Sequence, residues 1–220
     1  MTTCQRARWL GLAVVALAPL ACGEGAPVAN VGASGPRADP AAEDPIGFGP
    51  LPDFRLSDAR GQEVTLASLL GRPLVIGALF STCAGPCPSV VRGLQQLQAA
   101  LADTDVRLVV VSVNPAHDTS EVLARYAERV GAEPERWLFL TGPESEVHAL
   151  VRAGFFLAVE RGPAGAAGDP ITHDTRLLAV DRRGLRRGWY DGTDERQIER
   201  LRRRMLHLAA EGRTVAGAHR

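Results

Sequence analysis

The sequence has no excess charge of either sign, because 25 basic residues are matched by 25 acidic residues. Proteins that bind nucleic acid need a basic surface, so we expect no nucleic-acid partner. Local exceptions are the arginine-rich stretches 182–183, 186–187 and 200–204. The last of these runs through a helical pattern with a regular apolar stripe, which predicts that its arginines line the solvated face of a C-terminal helix.

Cysteine is scarce as well, with four in 220 residues. Cys4 and Cys22 lie in the N-terminal segment, which leaves Cys83 and Cys87 as the thiols of the region that can fold. Two thiols so close in sequence indicate a redox or metal site. The alternatives are a single stabilising disulfide or two buried, inert thiols.

The chain also lacks an N-terminal apolar run long enough to cross a bilayer comfortably, which takes roughly 20 residues. The stretch from Trp9 to Leu20 follows two arginines and ends in small residues, which is typical of a secretory signal over residues 1–21. The string LAPLAC resembles a bacterial lipobox with Cys22 as the lipidated residue, although Pro19 departs from that pattern. We therefore expect a protein tethered on the extracytoplasmic, periplasmic side of a membrane. An uncleaved signal anchor or an ordinary cleaved signal is the alternative.

The rest of the chain predicts a tether and one domain. Residues 22–50 are rich in Gly, Ala, Pro and Asp, which indicates a flexible tether. Residues 51–212 have the size of one domain, and residues 213–220 are expected to be a disordered tail. Apolar runs alternate with helical patterns, and Asp118 and Glu121 predict the cap of one helix. The order predicts an α/β fold: a central mixed sheet flanked by helices, an N-terminal hairpin, and a C-terminal antiparallel hairpin and helix.

The cysteine pair lies at a strand-to-helix turn. Cys83 and Cys87 belong to the segment FSTCAGPCP, which follows the apolar run 74–80 and precedes a helical stripe of Val90, Leu94, Leu97 and Leu101. A thiolate near a helix N-terminus is stabilised by the helix dipole and by unpaired N–H groups. Such a cysteine ionises easily and becomes a nucleophile or a metal ligand.

The order of elements, with a cysteine pair opening the helix after a central strand, is similar to the thioredoxin fold. The segments FSTCAGPCP, VVVSVNPAHDTSEVLARYA and ITHDTRLLAVDRRG together resemble the Sco/SenC family of copper chaperones in order and spacing. The resemblance covers nearly the whole domain. Two positions differ from the family pattern: Gly85 stands where an Asp is usual between the cysteines, and Asn114 replaces the usual Asp before a proline. Both changes remove a carboxylate near the site.

The resemblance implies a mononuclear copper site formed by Cys83, Cys87 and His173. Soft thiolates select Cu(I), and an added imidazole lets such a site also hold Cu(II). The resemblance further implies a copper-receiving partner, typically the dinuclear copper centre of a cytochrome c oxidase subunit. Because the protein is expected outside the cytoplasm, an external thiol reductant has to keep the pair reduced.

For the other histidines, the sequence predicts less specific roles. His117 follows the second buried strand, and in a thioredoxin-like sheet this loop neighbours the cysteine turn. It is an auxiliary ligand, a proton donor or a loop histidine in water. His148, His207 and the tail residue His219 are expected at the surface.

An alternative function is thiol-disulfide exchange, with Cys83 as the attacking thiolate and Cys87 as the resolving one. His173 discriminates between the two functions, because disulfide exchange does not require it. A peroxidase of the peroxiredoxin type is the least consistent, since the residues before Cys83 lack the Pro-x-x-x-Thr-x-x-Cys approach. Whether the protein is an enzyme is therefore open, and a metallochaperone is the preferred interpretation.

Overall fold

A seven-stranded mixed sheet carries the other elements of the fold. The structure is a computed structural model and describes residues 48–83, 85–162 and 171–216. In chain order the elements are β1 (Arg55–Asp58), β2 (Glu63–Thr65), α1 (Leu66–Leu69), β3 (Leu74–Leu79), α2 (Cys87–Ala100), β4 (Arg107–Ser112), α3 (Ser120–Arg129), β5 (Trp137–Thr141), α4 (Glu144–Ala149), a π-helical turn (Leu150–Gly154), β6 (Val159–Arg161), β7 (Ile171–His173), β8 (Arg176–Val180), β9 (Arg186–Asp191) and α5 (Glu195–Ala216).

The strand order in the main sheet is β2-β1-β5-β4-β3-β8-β9. β3, β4 and β5 are parallel neighbours. The hairpin β1–β2 forms one edge and the hairpin β8–β9 forms the other, both antiparallel. β6 and β7 make a separate two-stranded sheet. The predicted α/β architecture, with both hairpins and the last helix, is confirmed, and it is thioredoxin-like.

The main sheet separates two hydrophobic cores, and alternate side chains of β3 contribute to each of them. All six residues of β3 are buried, and successive side chains of a strand point to opposite faces. Leu74 and Ile76 pack in the core that contains α1 and α4. Val75 and Leu79 pack in the core that contains α2, α3 and α5. A strand covered on both faces needs a continuous apolar run, which is the pattern that predicted it.

The cysteine turn and the loop after β4 lie at the same edge of the sheet. β3 and β4 are parallel and end together, with Leu79 paired to Ser112. The chain leaves β3 toward Cys83 and leaves β4 toward His117. The carboxyl ends of neighbouring parallel strands are a common place for binding sites in α/β proteins, because loops from both strands meet there.

Two local predictions are wrong. The N-cap of α3 is Thr119, whose side chain accepts a hydrogen bond from the Val122 N–H. Asp118 is fully buried and serves another purpose, described below. A threonine oxygen caps a helix as an aspartate does, which leaves Asp118 available. Arg204 is buried on α5, contrary to the predicted solvated face, because it lies on the same side as Leu201 and Leu208 and a long arginine stem packs on apolar neighbours.

The described region does not include every predicted segment. The signal peptide, Cys22, the tether up to residue 47 and His219 lie outside it. At the other end, α5 continues to Ala216, beyond the domain boundary predicted at residue 212. Within the described part of the chain, no helix is both long enough and apolar enough to span a membrane.

Candidate metal centre

Two cysteines and one histidine converge at the edge of the sheet. One ligand atom from each of Cys83, Cys87 and His173 lies within 4.8 Å of the others. The His173 Nε2 atom is 2.9 Å from the Cys87 sulfur and 3.8 Å from the Cys83 sulfur. Two soft thiolates and an imidazole at such distances form a donor set that can hold a metal ion.

The start of α2 positions the two sulfurs differently. Pro86 is the N-cap residue and Cys87 is the first residue of the helix. The Ser89 and Val90 N–H groups donate to the Pro86 carbonyl, so the first turn is formed. The Cys87 residue is only 1% exposed, whereas Cys83 lies before the helix and is half-buried. The pair therefore contains one sheltered sulfur and one that solvent can reach.

The backbone carbonyl of Asp174 fixes which ring nitrogen of His173 faces the sulfurs. Its Nδ1 atom lies 2.9 Å from the Asp174 carbonyl oxygen. A carbonyl only accepts hydrogen bonds, so Nδ1 carries the proton of the neutral ring and Nε2 is the basic atom. An outer hydrogen bond of this kind orients histidine ligands in many metal sites. The edge of the ring also packs on Phe80, with ring centroids 5.5 Å apart.

His173 is presented by the small β6–β7 hairpin, in which it pairs with Val159. Beyond the hairpin, the Asp174 N–H donates to the Ala158 carbonyl. The Asp174 carboxylate accepts hydrogen bonds from the Arg176 backbone and guanidinium. Burial alone raises the pKa of Asp174, but the hydrogen bonds from Arg176 and Ala158 outweigh it and hold the pKa below its ordinary value. Asp174 therefore remains ionised and anchors the base of the hairpin.

Asp118 ties the loop after β4 to the cysteine turn. Its carboxylate accepts hydrogen bonds from the Ser81 N–H at 2.9 Å and from the Ser81 hydroxyl at 2.5 Å. It also accepts from the Ser112 hydroxyl at 2.5 Å, and the His117 ring lies 2.9 Å away. Sequence reasoning missed this function, because the residue resembled a helix cap. The available signal was its position after β4, at the edge where the cysteine turn follows β3.

The other histidines separate by burial. The His117 side chain is 51% exposed, contacts Asp118 and does not belong to the three-residue group. His207 is exposed on α5, as predicted. His148 was expected at the surface and is instead buried, with its Nε2 atom 2.9 Å from the Val113 carbonyl. That carbonyl follows the end of β4, and the imidazole N–H satisfies it in the core.

Gly85 and Asn114, the two positions at which the family resemblance leads us to expect an aspartate, have different surroundings. A Cβ atom built on Gly85 meets nothing within 4 Å, so the structure has room for a side chain there. An acidic residue at this position would therefore add charge without a clash at its Cβ atom. Asn114 forms a turn in which its carbonyl accepts the His117 and Asp118 N–H groups.

Comparison with known proteins identifies the family. The SCO1/SenC family model matches residues 49–207. A SCO1 protein homolog of Bacillus subtilis strain 168 is 28% identical over 155 residues, which cover 69% of this chain and 78% of that protein. The solved structure of BsSco, described as a member of the Sco family of cytochrome c oxidase assembly proteins with a disulfide switch, has 25% identity and a TM-score of 0.60. It aligns over 73% of this chain and 96% of its own.

A second solved structure is Bradyrhizobium japonicum ScoI with copper bound. Its TM-score is 0.60 at 22% identity, and the match covers 70% of this chain and 99% of that chain. The resemblance found in the three sequence segments is thus confirmed by the family model and by the fold. Because the family model spans residues 49–207 of 220, this chain belongs to the SCO1/SenC family.

Proposed function

We propose that this protein is an extracytoplasmic copper chaperone that holds copper with Cys83, Cys87 and His173. The observation that carries the proposal is the convergence of these three ligand atoms within 4.8 Å. The two sulfurs come from one turn, but the imidazole comes from a hairpin far away in sequence. Thiolates prefer Cu(I) over harder ions, and membership of the SCO1/SenC family supports copper as the metal.

In this proposal copper is the cargo of the protein, and the donor set allows copper to be passed on to a recipient. The described residues supply three ligand atoms, which leaves room in the coordination sphere for a ligand from a recipient. Of the two sulfurs, the half-buried Cys83 is the more accessible and so the thiolate at which exchange with a recipient can begin. The proposed recipient is a copper protein such as a cytochrome c oxidase subunit. This is supported by the family relationship to BsSco, a member of a family of oxidase assembly proteins.

The proposal includes a location and a reductant. The sequence pattern of a signal, with Cys22 at the end of a lipobox-like string, supports a lipid anchor on the periplasmic side of a membrane. Disulfides form readily outside the cytoplasm. An external thiol donor must therefore reduce Cys83 and Cys87 before Cu(I) binds, because copper ligation requires both thiolates.

Anaerobic titration with Cu(I) against a competing chelator tests the proposal. The reduced full-length protein should bind one copper ion much more tightly than the Cys83→Ser/Cys87→Ser variant. Both proteins retain Cys4 and Cys22, so any binding by these thiols cancels in the comparison. Equal affinities of the two proteins would refute a copper site at the cysteine pair.

Thiol-disulfide exchange is a second candidate, favoured by the unequal exposure of the two sulfurs. Cys83 is accessible for attack, whereas Cys87 is buried beside it, as expected of a resolving thiol. His173→Ala separates the two functions, because it should weaken copper binding without stopping exchange. The reduction potential of the pair decides whether a reducing role is feasible: a value well above that of the partner's disulfide rules it out.

A further inference from the structure

A groove between α2 and α3 opens directly beside the cysteine pair. Its volume is about 390 Å³, and Cys83 is one of its lining residues. Cys87, Val91 and Gln95 line it from α2, and Tyr126, Arg129 and Val130 line it from α3. It is separate from the His173 side of the centre, because His173 is not among its lining residues. The proposed function leaves this groove without a purpose.

The shape of the groove suits an extended chain. Its α2 wall contains residues four and eight positions after Cys87, which lie on one helical face. At about 1.5 Å per residue, this wall is about 12 Å long. An extended peptide advances about 3.3 Å per residue, so about four residues fit along the groove. Val91 and Tyr126 provide an apolar floor, each 7% exposed.

The charged residues in the lining of the groove are two arginines. Arg92 and Arg129 line it, and the described lining contains no carboxylate. The Arg129 guanidinium lies 4.9 Å from the centre of the Tyr126 ring and donates to the Ser81 carbonyl at 3.5 Å, and Arg92 donates to the Ser89 hydroxyl. Among the described residues, no carboxylate forms an ion pair with either arginine. Two guanidinium groups thus remain available for an anionic partner.

The acidic residues around these arginines include Asp118, Glu128 and Glu195, of which Glu195 lines a neighbouring pocket together with Arg92. Asp118 is fully buried, and its oxygens accept hydrogen bonds from Ser81 and Ser112. Glu128 lines a different pocket on the other side of α3. Residues 81–88 contain no acidic side chain, and position 85 is glycine. The formal net charge of the chain is zero, so the two arginines in the lining are a local excess of positive charge.

We infer that this groove docks an extended, acidic segment of a protein partner and places that segment's cysteine against Cys83. The inference rests on the proposed function, because it describes how the partner meets the cysteine pair. In the exchange step, the Cys83 thiolate attacks a sulfur of the partner's disulfide. A bond forms between Cys83 and that sulfur, the partner's own S–S bond breaks, and the other partner sulfur leaves as a thiolate.

Reaction rates with short activated peptides test the inference. The protein is the full chain with Cys4→Ser, Cys22→Ser and Cys87→Ala, without copper, so that Cys83 is its one remaining thiol. The peptides Asp-Asp-Cys-Asp and Lys-Lys-Cys-Lys carry their cysteine as a mixed disulfide with neutral pyridine-2-thiol. Attack by Cys83 joins it to the peptide and releases pyridine-2-thione, which is followed by absorbance. Each rate is divided by the rate of the same peptide with N-acetylcysteine amide, which removes differences in intrinsic reactivity.

The acidic peptide should react at least about tenfold faster than the basic one at low ionic strength, which is the lower end of electrostatic steering. The preference should vanish near 1 M salt, where the screening length is about 3 Å. Arg92→Gln/Arg129→Gln should reduce the ratio to about one. The matched control Arg72→Gln/Arg152→Gln removes the same charge from exposed positions outside the groove and should retain the ratio.

Several results would overturn the inference. One is the absence of a charge preference, and another is an equal loss of preference in both double variants. A single activated cysteine bearing one added carboxylate should show a much smaller preference than the peptide. An equal preference would mean that the groove takes small anionic thiols and not a protein segment. If Cys87→Ala does not fold, Cys87→Ser takes its place. Cu(I) affinity should be unchanged in Arg92→Gln/Arg129→Gln, so failure of the groove and failure of the copper site are distinguishable.

Discussion

The two sides of the candidate metal centre are built differently. Cys87 begins a helix whose inner face is buried against the main sheet, with Leu94 and Leu97 at 0% exposure. His173 ends a strand of three residues in a separate two-stranded sheet. The Cys87 thiolate is therefore held by a helix packed on the main sheet, whereas the imidazole is carried by a separate two-stranded sheet that joins the core through Val159 and Ile171.

This difference suggests a division of work between the ligands. The sheltered Cys87 thiolate at the start of α2 suits an anchor that retains copper during changes of coordination. An imidazole on a small element can change its contribution at a low cost in free energy, because less of the core must move with it. The comparison predicts that damage to the cysteine side affects both copper and fold, and that damage to the histidine side affects mainly the choice of copper oxidation state.

The largest expected effect comes from the ligands themselves. Cys87→Ser should reduce Cu(I) affinity by more than the roughly 10- to 100-fold that is typical for losing an outer partner of a ligand. His173→Ala should reduce Cu(II) affinity more than Cu(I) affinity, because thiolates alone satisfy Cu(I). Competition titrations with chelators for each oxidation state measure both. His207→Ala, at an exposed position of α5, is the control. A Cu(I) loss in His173→Ala as large as that in Cys87→Ser would contradict the division of work.

The second largest effect concerns stability. Leu94→Ala on α2 should lower the free energy of unfolding by about 2–5 kcal/mol, the usual cost of a buried leucine. Ile171→Val in the histidine hairpin should cost only about 0.5–1.5 kcal/mol. Urea denaturation provides both values. In hydrogen exchange, Leu94→Ala should lower protection throughout the main sheet, whereas Ile171→Val should lower it mainly in β6 and β7. Equal changes across the whole protein in both variants would mean that the hairpin is part of the main cooperative unit.

A third effect tests the base of the hairpin. Asp174→Asn removes the charge that pairs with Arg176, and should weaken Cu(II) binding by about tenfold, as for other outer-partner changes. Cu(I) affinity should change less, because the thiolates do not depend on this contact. Asp53→Asn removes the same charge from an exposed position and is the control. An unchanged Cu(II) affinity would show that the backbone alone orients His173.

The smallest effect is pH-dependent and concerns Asp191, at the end of β9. Hydrogen bonds from the Thr193 N–H and hydroxyl lower the pKa of Asp191, with a further one from Thr175. A folded-state pKa below the unfolded value, about 3.9, stabilises the fold above that pH, and the stabilisation disappears as the pH falls through the folded-state pKa. Asp191→Asn should therefore cost about 0.5–1 kcal/mol at pH 7. In denaturation experiments, the difference in the free energy of unfolding between Asp191→Asn and the unaltered protein should shrink below about pH 3.9. A difference that stays constant at all pH values would contradict this.

Much of the fold was predictable because local patterns and tertiary environment agree. The continuous apolar run at 74–80 requires burial on both faces, and the structure provides it in β3. The hairpin before β9 turns at Gly184, whose φ of 82° favours glycine. Such features depend on residues that are close in sequence, so the sequence alone predicts them.

The incorrect predictions concern polar or charged residues whose local sequence pattern indicated a different environment. Asp118 follows a pattern that fits a helix cap, yet its carboxylate accepts a hydrogen bond from Ser81, which lies in another loop. His148 and Arg204 are polar residues at positions that fit a solvated surface, yet both are buried. For Asp118 and His148 the deciding neighbour is distant in sequence, whereas Arg204 follows the inner stripe of α5 with Leu201 and Leu208. A residue type and its local pattern do not reveal which distant backbone carbonyl or apolar side chain will cover it.

The sequence by itself determined that Cys83 and Cys87 lie at a strand-to-helix turn, since strand pattern, proline and helical stripe are all local. It also predicted His173 as a third residue, through resemblance to the Sco/SenC family. Only the tertiary structure decided that the His173 Nε2 atom faces the sulfurs, because this depends on the hydrogen bond from Nδ1 to the Asp174 carbonyl and on the hairpin that carries both. Arg92 and Arg129 line the same groove as Cys83 only because α2 packs beside α3. The two arginines are far apart in sequence, so the sequence alone does not bring them together.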